Sequence, residues 1–353
     1  MALSSDRGGS AVATGSVVVV TGAAGALGRR VCTLAAADPT VARVVAIDRR
    51  PVRFLGAVEG VEADLAVADL KPLFEGADVV IHLAQGDGPV RDAVTSPAAG
   101  DGALAHRVLD AAAAVGAAHL VLLSSAVAYG AWANNPVPLT EDAPLRPNPG
   151  VSFASEKAEL ERAAADWRDD HPGATVAVLR PTLTLAPEGR GWLARALRRG
   201  SLPVADNDPP AQYLDVDDLA AAVDLARRAR LDGPRNVAPD GWVDGETARA
   251  LAGGGPRVRL PERLALRVAG LRWRFGLAET PPVFLPYTVH PWVVANDRLR
   301  ADGWTPASTN KEVLVAHETP SASRDLVAVA ATAGVVLLAF GAAGLLARRR
   351  RRR

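Results

Sequence analysis

The chain is poor in sulfur-containing and aromatic residues. Of its 353 residues one is cysteine and one is methionine, and the three aromatic types together make up 5%. A lone Cys32 excludes an intrachain disulfide, so the protein folds without covalent cross-links, as is usual in a reducing compartment. Hydrophobic residues still make up 49% of the chain, which is ample for a large core.

An excess of charge of either sign is also lacking. The chain has 40 Lys and Arg residues against 39 Asp and Glu, and six of the arginines are Arg348–Arg353. The rest of the chain is therefore mildly acidic, which argues against a nucleic-acid partner. Residues 1–15 lack the long apolar run of a signal peptide, and we interpret them as a flexible leader. No His, Cys or Asp spacing indicates a metal site.

A strand, a glycine-rich turn and a helix are predicted near the start of the chain. The four residues Val17–Val20 lead into Thr21-Gly-Ala-Ala-Gly-Ala-Leu-Gly28, and a helix is predicted over Ala26–Ala37. In such a unit one glycine permits the turn, a second admits a pyrophosphate and a third lets the helix pack closely. The phosphates bind at the helix N-terminus. The pattern is typical of a dinucleotide site.

A second predicted strand, Arg43–Asp48, ends in an acid twenty positions after Gly28. A carboxylate there can accept hydrogen bonds from the adenosine ribose. Arg49 and Arg50 leave the choice of cofactor open, because an arginine can attract the 2′-phosphate of NADP. We favour NAD, since Asp48 is at the strand end and faces the ribose. The cofactor residues predicted from this unit are Gly22, Gly25, Ala26, Leu27, Gly28, Asp48 and Arg49.

Strands and helices alternate further along the chain, which predicts a parallel, doubly wound, Rossmann-like sheet. The later predicted elements are strands at 58–63, 78–83, 119–124 and 174–179 and helices at 66–74, 102–115 and 151–169. We expect an NAD-binding domain over 16–181, a smaller substrate lobe over 182–315 with returns to the sheet, and a linker over 316–325. Pro- and Gly-rich connections after Arg180 favour that division.

Seven segments resemble the extended, atypical short-chain dehydrogenase/reductases of the NAD-dependent epimerase/dehydratase type. They are Thr21–Gly28, Ala63–Leu65, Ile81–Ala84, Ser124–Gly130, Leu179–Pro181, Gln212–Ala220 and Asn296–Pro306. The resemblance implies that Asp64 and Leu65 contact the adenine and that Ala84 and Pro181 lie at strand ends beside the cofactor. It also implies that Ser125 is the catalytic serine.

The most informative departure from that family is at position 153. The family performs its chemistry with a Tyr-x-x-x-Lys pair, whose two side chains share a helix face at i and i+4. This chain has Phe153-Ala-Ser-Glu-Lys157 at that place. Phe153 has no hydroxyl to exchange a proton, whereas Lys157 is still expected to bind the ribose. A second departure is Asp101, where the family often has an asparagine.

Other residues can replace the missing phenol. Tyr129, four residues after Ser125, is expected near the mouth of the site, either as the acid or as lining of the substrate pocket. Ser125 can itself orient water or a substrate oxygen. His82 and His106 are candidates for acid or base, but both lie in apolar stretches, where structural histidines are commoner.

An uncharged apolar segment of 22 residues, 326–347, precedes the six arginines. As a helix it would be roughly 33 Å long, enough to cross a bilayer core. We predict a single C-terminal anchor in the cell membrane, a cytoplasmic body and a polyarginine tail at 348–353. The six arginines also favour the cytoplasmic side, although a spanning helix would place them on the side opposite the body. Either the tail crosses the membrane despite its charge, or the helix enters and returns, or it lies shallow in the bilayer. Gly334, Gly341 and Gly344 form a small-residue face compatible with a homodimer.

Two hypotheses of function follow. The first is a membrane-tethered epimerase/dehydratase-like enzyme that acts on a sugar-nucleotide or lipid-like substrate with an altered catalytic site. The second is a non-catalytic NAD(H)-binding sensor or scaffold at the membrane. Ser125 and Lys157 favour the first hypothesis, and Phe153 favours the second.

Overall fold

The sheet strands alternate with helices along the chain, as the pattern predicts. The computed structural model describes residues 15–53, 56–85, 100–188, 192–197, 208–251, 260–275, 278 and 280–317. The strands are β1 Ser16–Thr21, β2 Val41–Asp48, β3 Val58–Glu62, β4 Val79–His82, β5 His119–Leu123, β6 Thr175–Pro181, β7 Leu183–Leu185, β8 Tyr213–Asp215 and β9 Gly233–Val237. The helices are α1 Ala26–Ala37, α2 Leu70–Leu73, α3 Asp101–Val115, α4 Ser152–Asp170, α5 Trp192–Ala196, α6 Val216–Arg228, α7 Gly245–Leu251, α8 Glu262–Arg274, α9 Pro286–Val289, α10 Asp297–Ala301 and α11 Asn310–His317.

Seven parallel strands form the main sheet in the order β3-β2-β1-β4-β5-β6-β9. In its centre Val20 of β1 lies beside Ala46 of β2 on one side and Ile81 of β4 on the other. The chain winds outward from β1 to β3 and then crosses to β4 on the opposite side of β1. The carboxyl ends of β1 and β4 therefore border the crevice where ligands of such sheets bind.

Both faces of this sheet are covered. Val18 and Val20 belong to a buried cluster that includes residues of α1 and α6, whereas Val19 faces a cluster formed with α3 and α4. Strands buried on both faces are nearly continuous runs of hydrophobic residues, as Val17–Val20 is. Cys32 of α1 is fully buried in the first cluster, and burial raises the pKa of its thiol to about 12.

A third hydrophobic cluster forms the smaller lobe beyond the carboxyl edge of the sheet. It includes residues of α8 and α11, and the strands β7 and β8 pair as a separate two-stranded parallel sheet. The hydroxyl of Tyr287 donates to the carbonyl of Val127 at 2.8 Å, which connects the lobe to the chain that follows β5. The lobe is not a separate stretch of sequence, since α6 packs on α1 and β9 pairs with β6.

The predicted α/β doubly wound fold is confirmed, with corrections to its parts. Strand β9 completes the sheet as a seventh strand that the sequence pattern did not predict. The helix predicted at 66–74 is reduced to α2, because Asp64 closes a turn by accepting from the amide of Ala66 at 2.9 Å and Asp69 then caps the helix. Helix α11 continues two residues into the predicted linker.

The predicted membrane anchor at 326–347 lies outside the described residues, as do residues 1–14, 318–325 and the arginine tail. Among the helices that the structure describes, none combines the length and the apolar composition needed to cross a bilayer.

Candidate functional site

Three glycines shape the turn between β1 and α1, each for a different reason. Gly22 has φ +75°, and a Cβ there would lie 2.6 Å from the amide nitrogen of Ala84. A Cβ on Gly28 would lie 2.3 Å from the carbonyl oxygen of Gly22. On Gly25 the nearest described atom, the same oxygen, is 3.4 Å away, so the described part of the chain leaves the space in front of Gly25 open. The fold therefore requires glycine at positions 22 and 28, whereas Gly25 leaves room for a ligand.

The open space lies at the start of α1. Gly25 precedes the helix with extended backbone angles, no side chain caps the helix, and its first turn has no acidic residue. Ala26 and Leu27 therefore present backbone N–H groups and a positive dipole end to this space, which suits a phosphate group. Phosphate binding by Gly25, Ala26 and Leu27 stays a prediction.

Asp48 connects the end of β2 to the glycine turn. Its Oδ2 accepts from the amide of Ala24 at 2.9 Å, and its Oδ1 accepts from the amide of Arg50 at 3.0 Å. Burial acts to raise the pKa of this carboxyl, but the hydrogen bonds from Arg50 and Ala24 outweigh it, and the net pKa lies below the ordinary value. Asp48 is therefore an anion at neutral pH, while the side chains of Arg49 and Arg50 are exposed.

The remaining predicted cofactor residues lie at neighbouring strand ends. Asp64 is exposed after β3, Leu65 is buried, and Arg107 of α3 donates to the carbonyl of Leu65 at 2.8 Å. Ala84 follows β4 and faces the turn at Gly22, while Pro181 is the buried last residue of β6. All of these strands end at the same edge of the sheet, because the sheet is parallel.

Ser125 and Phe153 each lie close to the start of a helix. Ser125 follows β5 and begins the short 3₁₀ helix Ala126–Tyr129, whose Val127 amide donates to the serine Oγ at 3.4 Å. Phe153 is in the first turn of α4, and its ring packs edge-on against Trp192 with centroids 4.7 Å apart. The benzyl ring is thus held in place without a hydroxyl.

Lys157 is one helical turn after Phe153 and is completely buried. Its Nζ lies 2.9 Å from Oδ2 of Asp101, donates to the carbonyl of Leu123 at 3.0 Å, and is 5.4 Å from the centroid of the Phe153 ring. Its charge is therefore paired inside the protein. The partnership of Lys157 with Asp101 was not predicted.

The predicted position of Tyr129 is wrong in one respect, because its side chain is 1% exposed and does not lie at a mouth. Its hydroxyl donates to Oδ1 of Asn236 at 2.8 Å and accepts from Nη1 of Arg180 at 2.6 Å. Burial raises its pKa to about 12, although Arg180 acts in the opposite direction. A phenol with both its proton and a lone pair engaged is a poor proton donor for a ligand.

Sequence reasoning missed the buried polar network behind Tyr129. Arg180 of β6 contacts both carboxylate oxygens of Glu161 on α4, and Glu161 also accepts from the hydroxyl of Ser124. Glu141 accepts from the amide of Asn236 at 2.9 Å. Nothing local in the sequence indicates that Arg180 is the partner of Glu161.

The two candidate histidines have different environments. His82 ends β4, is 1% exposed, and has its Nδ1 2.8 Å from the hydroxyl of Thr21. Burial, assisted by the charge of Lys157, lowers its pKa to about 4, so it is neutral at pH 7. Its Nε2 has no hydrogen-bond partner among the described residues. His106 is exposed on α3, so the expectation that it is a structural histidine in an apolar stretch is wrong.

A family profile described as the NAD dependent epimerase/dehydratase family matches residues 18–238. The chain belongs to this family. That membership confirms the predicted family resemblance; the matched residues include six of the seven segments, and Asn296–Pro306 lies beyond them. The predicted NAD cofactor is the one that names the family. No match was found among curated protein sequences.

Solved structures of the same architecture are similar to this chain over most of its length. One is MoeE5 in complex with UDP-glucuronic acid and NAD, with 22% identity, a TM-score of 0.64, and coverage of 86% of this chain and 97% of that chain. Another is the Thermus thermophilus UDP-glucose 4-epimerase complex with NAD, with 21% identity, a TM-score of 0.62, and coverage of 86% and 98%. A third is the Bacillus anthracis dTDP-glucose 4,6-dehydratase with NAD, with 16% identity, a TM-score of 0.62, and coverage of 86% and 95%. At these identities the likeness shows the fold.

Proposed function

We propose that this chain binds NAD in the crevice between β1 and β4. The observation that supports the proposal most strongly is the open space at Gly25, beside two glycines whose surroundings exclude any side chain. The α1 N-terminus would hold the pyrophosphate, and Asp48, fixed by Ala24 and anionic, would accept the ribose hydroxyls. When bound, NAD supplies a hydride acceptor and donor.

The substrate that we propose is a sugar nucleotide. The similar proteins were solved with UDP-glucuronic acid or are UDP-glucose and dTDP-glucose enzymes, and in this chain a smaller lobe lies beyond the carboxyl edge of the sheet. A lipid-linked sugar nucleotide would also suit a membrane-tethered protein. Ser125, which follows β5, would orient a hydroxyl or carbonyl oxygen of such a substrate.

The proposed catalytic site is altered because position 153 has no proton to give. Ser125 can orient a substrate oxygen, and Lys157 can hold charge at the base of the site, but neither is a phenol. Loss of a positioned general acid typically removes about a hundred- to ten-thousandfold of rate. We therefore expect turnover that is slow and dependent on Ser125.

A non-catalytic NAD(H)-binding role is the second candidate function. Phe153 and the internally paired charge of Lys157 favour it, because together they leave a cofactor site without an evident proton donor. Such a protein would report cofactor occupancy to a partner at the membrane.

Turnover measurements on the full chain distinguish the two candidates. With NAD and a panel of UDP- and dTDP-sugars, we expect slow conversion detected by NMR of the products, reduced about a hundredfold in Ser125→Ala. Ser152→Ala, at an exposed position of α4, is the matched control and should retain the parent rate. If the protein binds NAD but converts none of these sugars faster than buffer alone does, the non-catalytic NAD(H)-binding role is favoured instead.

We also propose that the protein is tethered to a membrane, on the basis of the apolar segment 326–347. We expect the full chain to sediment with membranes and to resist high salt, because apolar insertion is not screened by ions. Deletion of residues 326–353 should release it, whereas deletion of 348–353 alone should not. A chain without 326–353 that still sediments, or a full chain released by salt alone, would contradict insertion by this segment.

A further inference from the structure

The first residue of α3, Asp101, lies next to the altered catalytic position. Its side chain is 2% exposed, that of Lys157 is fully buried, and their charged atoms are 2.9 Å apart. A buried ammonium without a counter-charge is strongly destabilising, so the carboxylate and the lysine stabilise each other. Lys157 has one further acceptor in the carbonyl of Leu123.

The backbone around Asp101 places its side chain against α4. The amide of Asp101 donates to Oε2 of Glu156 at 3.0 Å, so that a carboxylate of α4 caps the N-terminus of α3. The flanking residues are both glycines. A Cβ at Gly100 would lie 2.9 Å from Cδ of Glu156, and one at Gly102 would lie 3.0 Å from Oε2 of Glu159. The helices approach closely at this point, which holds the Asp101 carboxylate at Lys157.

The same ammonium faces the ring of Phe153 at 5.4 Å from its centroid. The Lys157 ammonium therefore lies near both the ring that lacks a hydroxyl, at position 153, and the carboxylate of Asp101. In a Tyr-x-x-x-Lys pair the unpaired ammonium favours the ionised phenol, because an opposite charge within about 4–6 Å lowers a pKa by roughly 1–3 units. A carboxylate in contact with the ammonium cancels most of that effect.

Among the described residues, three other titratable groups lie near this charge. His82 of β4 interacts with both Lys157 and Asp101 and is neutral at pH 7 because burial lowers its pKa. Glu156 interacts with the same two residues, and Glu159 lies beside it on α4. Burial raises the pKa of Glu156; the hydrogen bond from the Asp101 amide lowers it, and the charge of the Asp101 carboxylate raises it. None of these groups adds a positive charge to favour a phenolate.

We propose that Asp101 is a positioning residue that neutralises Lys157, so that the lysine no longer lowers the pKa of a hydroxyl placed at position 153. The inference rests on the altered catalytic site proposed above. It implies that Phe153→Tyr alone does not restore a proton donor of the family type, and that Asp101→Asn is needed with it.

The test measures the pKa of the phenol that Phe153→Tyr introduces into the full chain. The chain has three tyrosines, so an ultraviolet difference titration of variant minus parent isolates the fourth. On the parent background we expect a pKa at or above the ordinary value of about 10. On the Asp101→Asn background we expect it to be at least about one unit lower. Asp110→Asn, at an exposed position of the same helix, should leave it unchanged.

Equal phenol pKa values on the parent and Asp101→Asn backgrounds would overturn the proposal. If Asp101→Asn does not fold, the value for Phe153→Tyr alone decides, since a pKa about one unit or more below 10 would show that Lys157 still acts on the phenol. The titration needs neither cofactor nor substrate. NAD affinity and turnover of the same variants are measured separately, so failure of the proposed function is distinguishable from failure of this inference.

Discussion

Gly25→Val lowers the affinity of the full chain for NAD by about a hundredfold or more while leaving the fold intact; this is the largest effect on binding that we expect. Gly25 has φ −69° and ψ 163°, extended angles that valine readily adopts, and the nearest atom to a Cβ there is 3.4 Å away. The side chain would fill the space proposed for the pyrophosphate. Overpacking of about 3 kcal/mol corresponds to that loss of affinity, which calorimetry measures.

Gly28→Val is the comparison that separates binding from folding. Its Cβ would lie 2.3 Å from the carbonyl oxygen of Gly22 and 2.7 Å from Cα of Ala23, so backbone atoms would have to move. We expect this variant to unfold at a clearly lower temperature than the parent, whereas Gly25→Val should melt within a few degrees of it. NAD bound with parental affinity by Gly25→Val would remove the main support for the cofactor site.

Arg180→Met is expected to lower the free energy of unfolding by about 3–5 kcal/mol, the largest effect on stability in this set. The side chains of Arg180 and Glu161 are each 7% exposed and are joined by contacts of 2.6 and 3.0 Å. Removal of one partner leaves the other buried without a counter-charge. Tyr129 loses a hydrogen bond at the same time. Chemical denaturation followed by circular dichroism measures the change.

Arg168→Met is the matched control, because Arg168 pairs with Asp232 at 2.6 Å but the two side chains are 47% and 34% exposed. Exposed pairs contribute about 0–1 kcal/mol. A loss below about 1 kcal/mol for Arg180→Met would mean that solvent or a rearranged side chain compensates Glu161, and the network would then not hold β6 to α4 as the structure indicates.

The parts of the fold that depend on neighbouring residues were predictable. The valine run before Gly22 and the alanine-rich segment after Gly25 specify β1 and α1, and the bounds of α1, Ala26–Ala37, are those predicted. The fold class follows from the alternation of such units. Strand β9 was not predictable, because Gly233–Val237 has glycine, proline, arginine and asparagine and becomes a strand through its pairing with β6.

In the candidate site, too, local features were predictable and long-range contacts were not. The spacing of Phe153 and Lys157 and their common helix face follow from the sequence. Asp101 was noted as a departure, but its contact with Lys157 depends on the packing of α3 against α4. The burial of Tyr129 depends on Asn236 and Arg180, which reach it from β9 and β6. Long-range pairs of this kind have no local pattern in a single sequence.

The burial of Cys32 makes the chain suitable for thiol labelling without prior engineering. Because burial raises the pKa of its thiol to about 12, Cys32 is protonated at pH 7, and the thiolate is the form that reacts. A cysteine introduced at an exposed position or beside the arginine tail would therefore be the reactive thiol of the molecule. A maleimide that cannot cross a lipid bilayer would then test, in intact cells or vesicles, whether the proposed anchor at 326–347 places its two ends on different sides of a membrane.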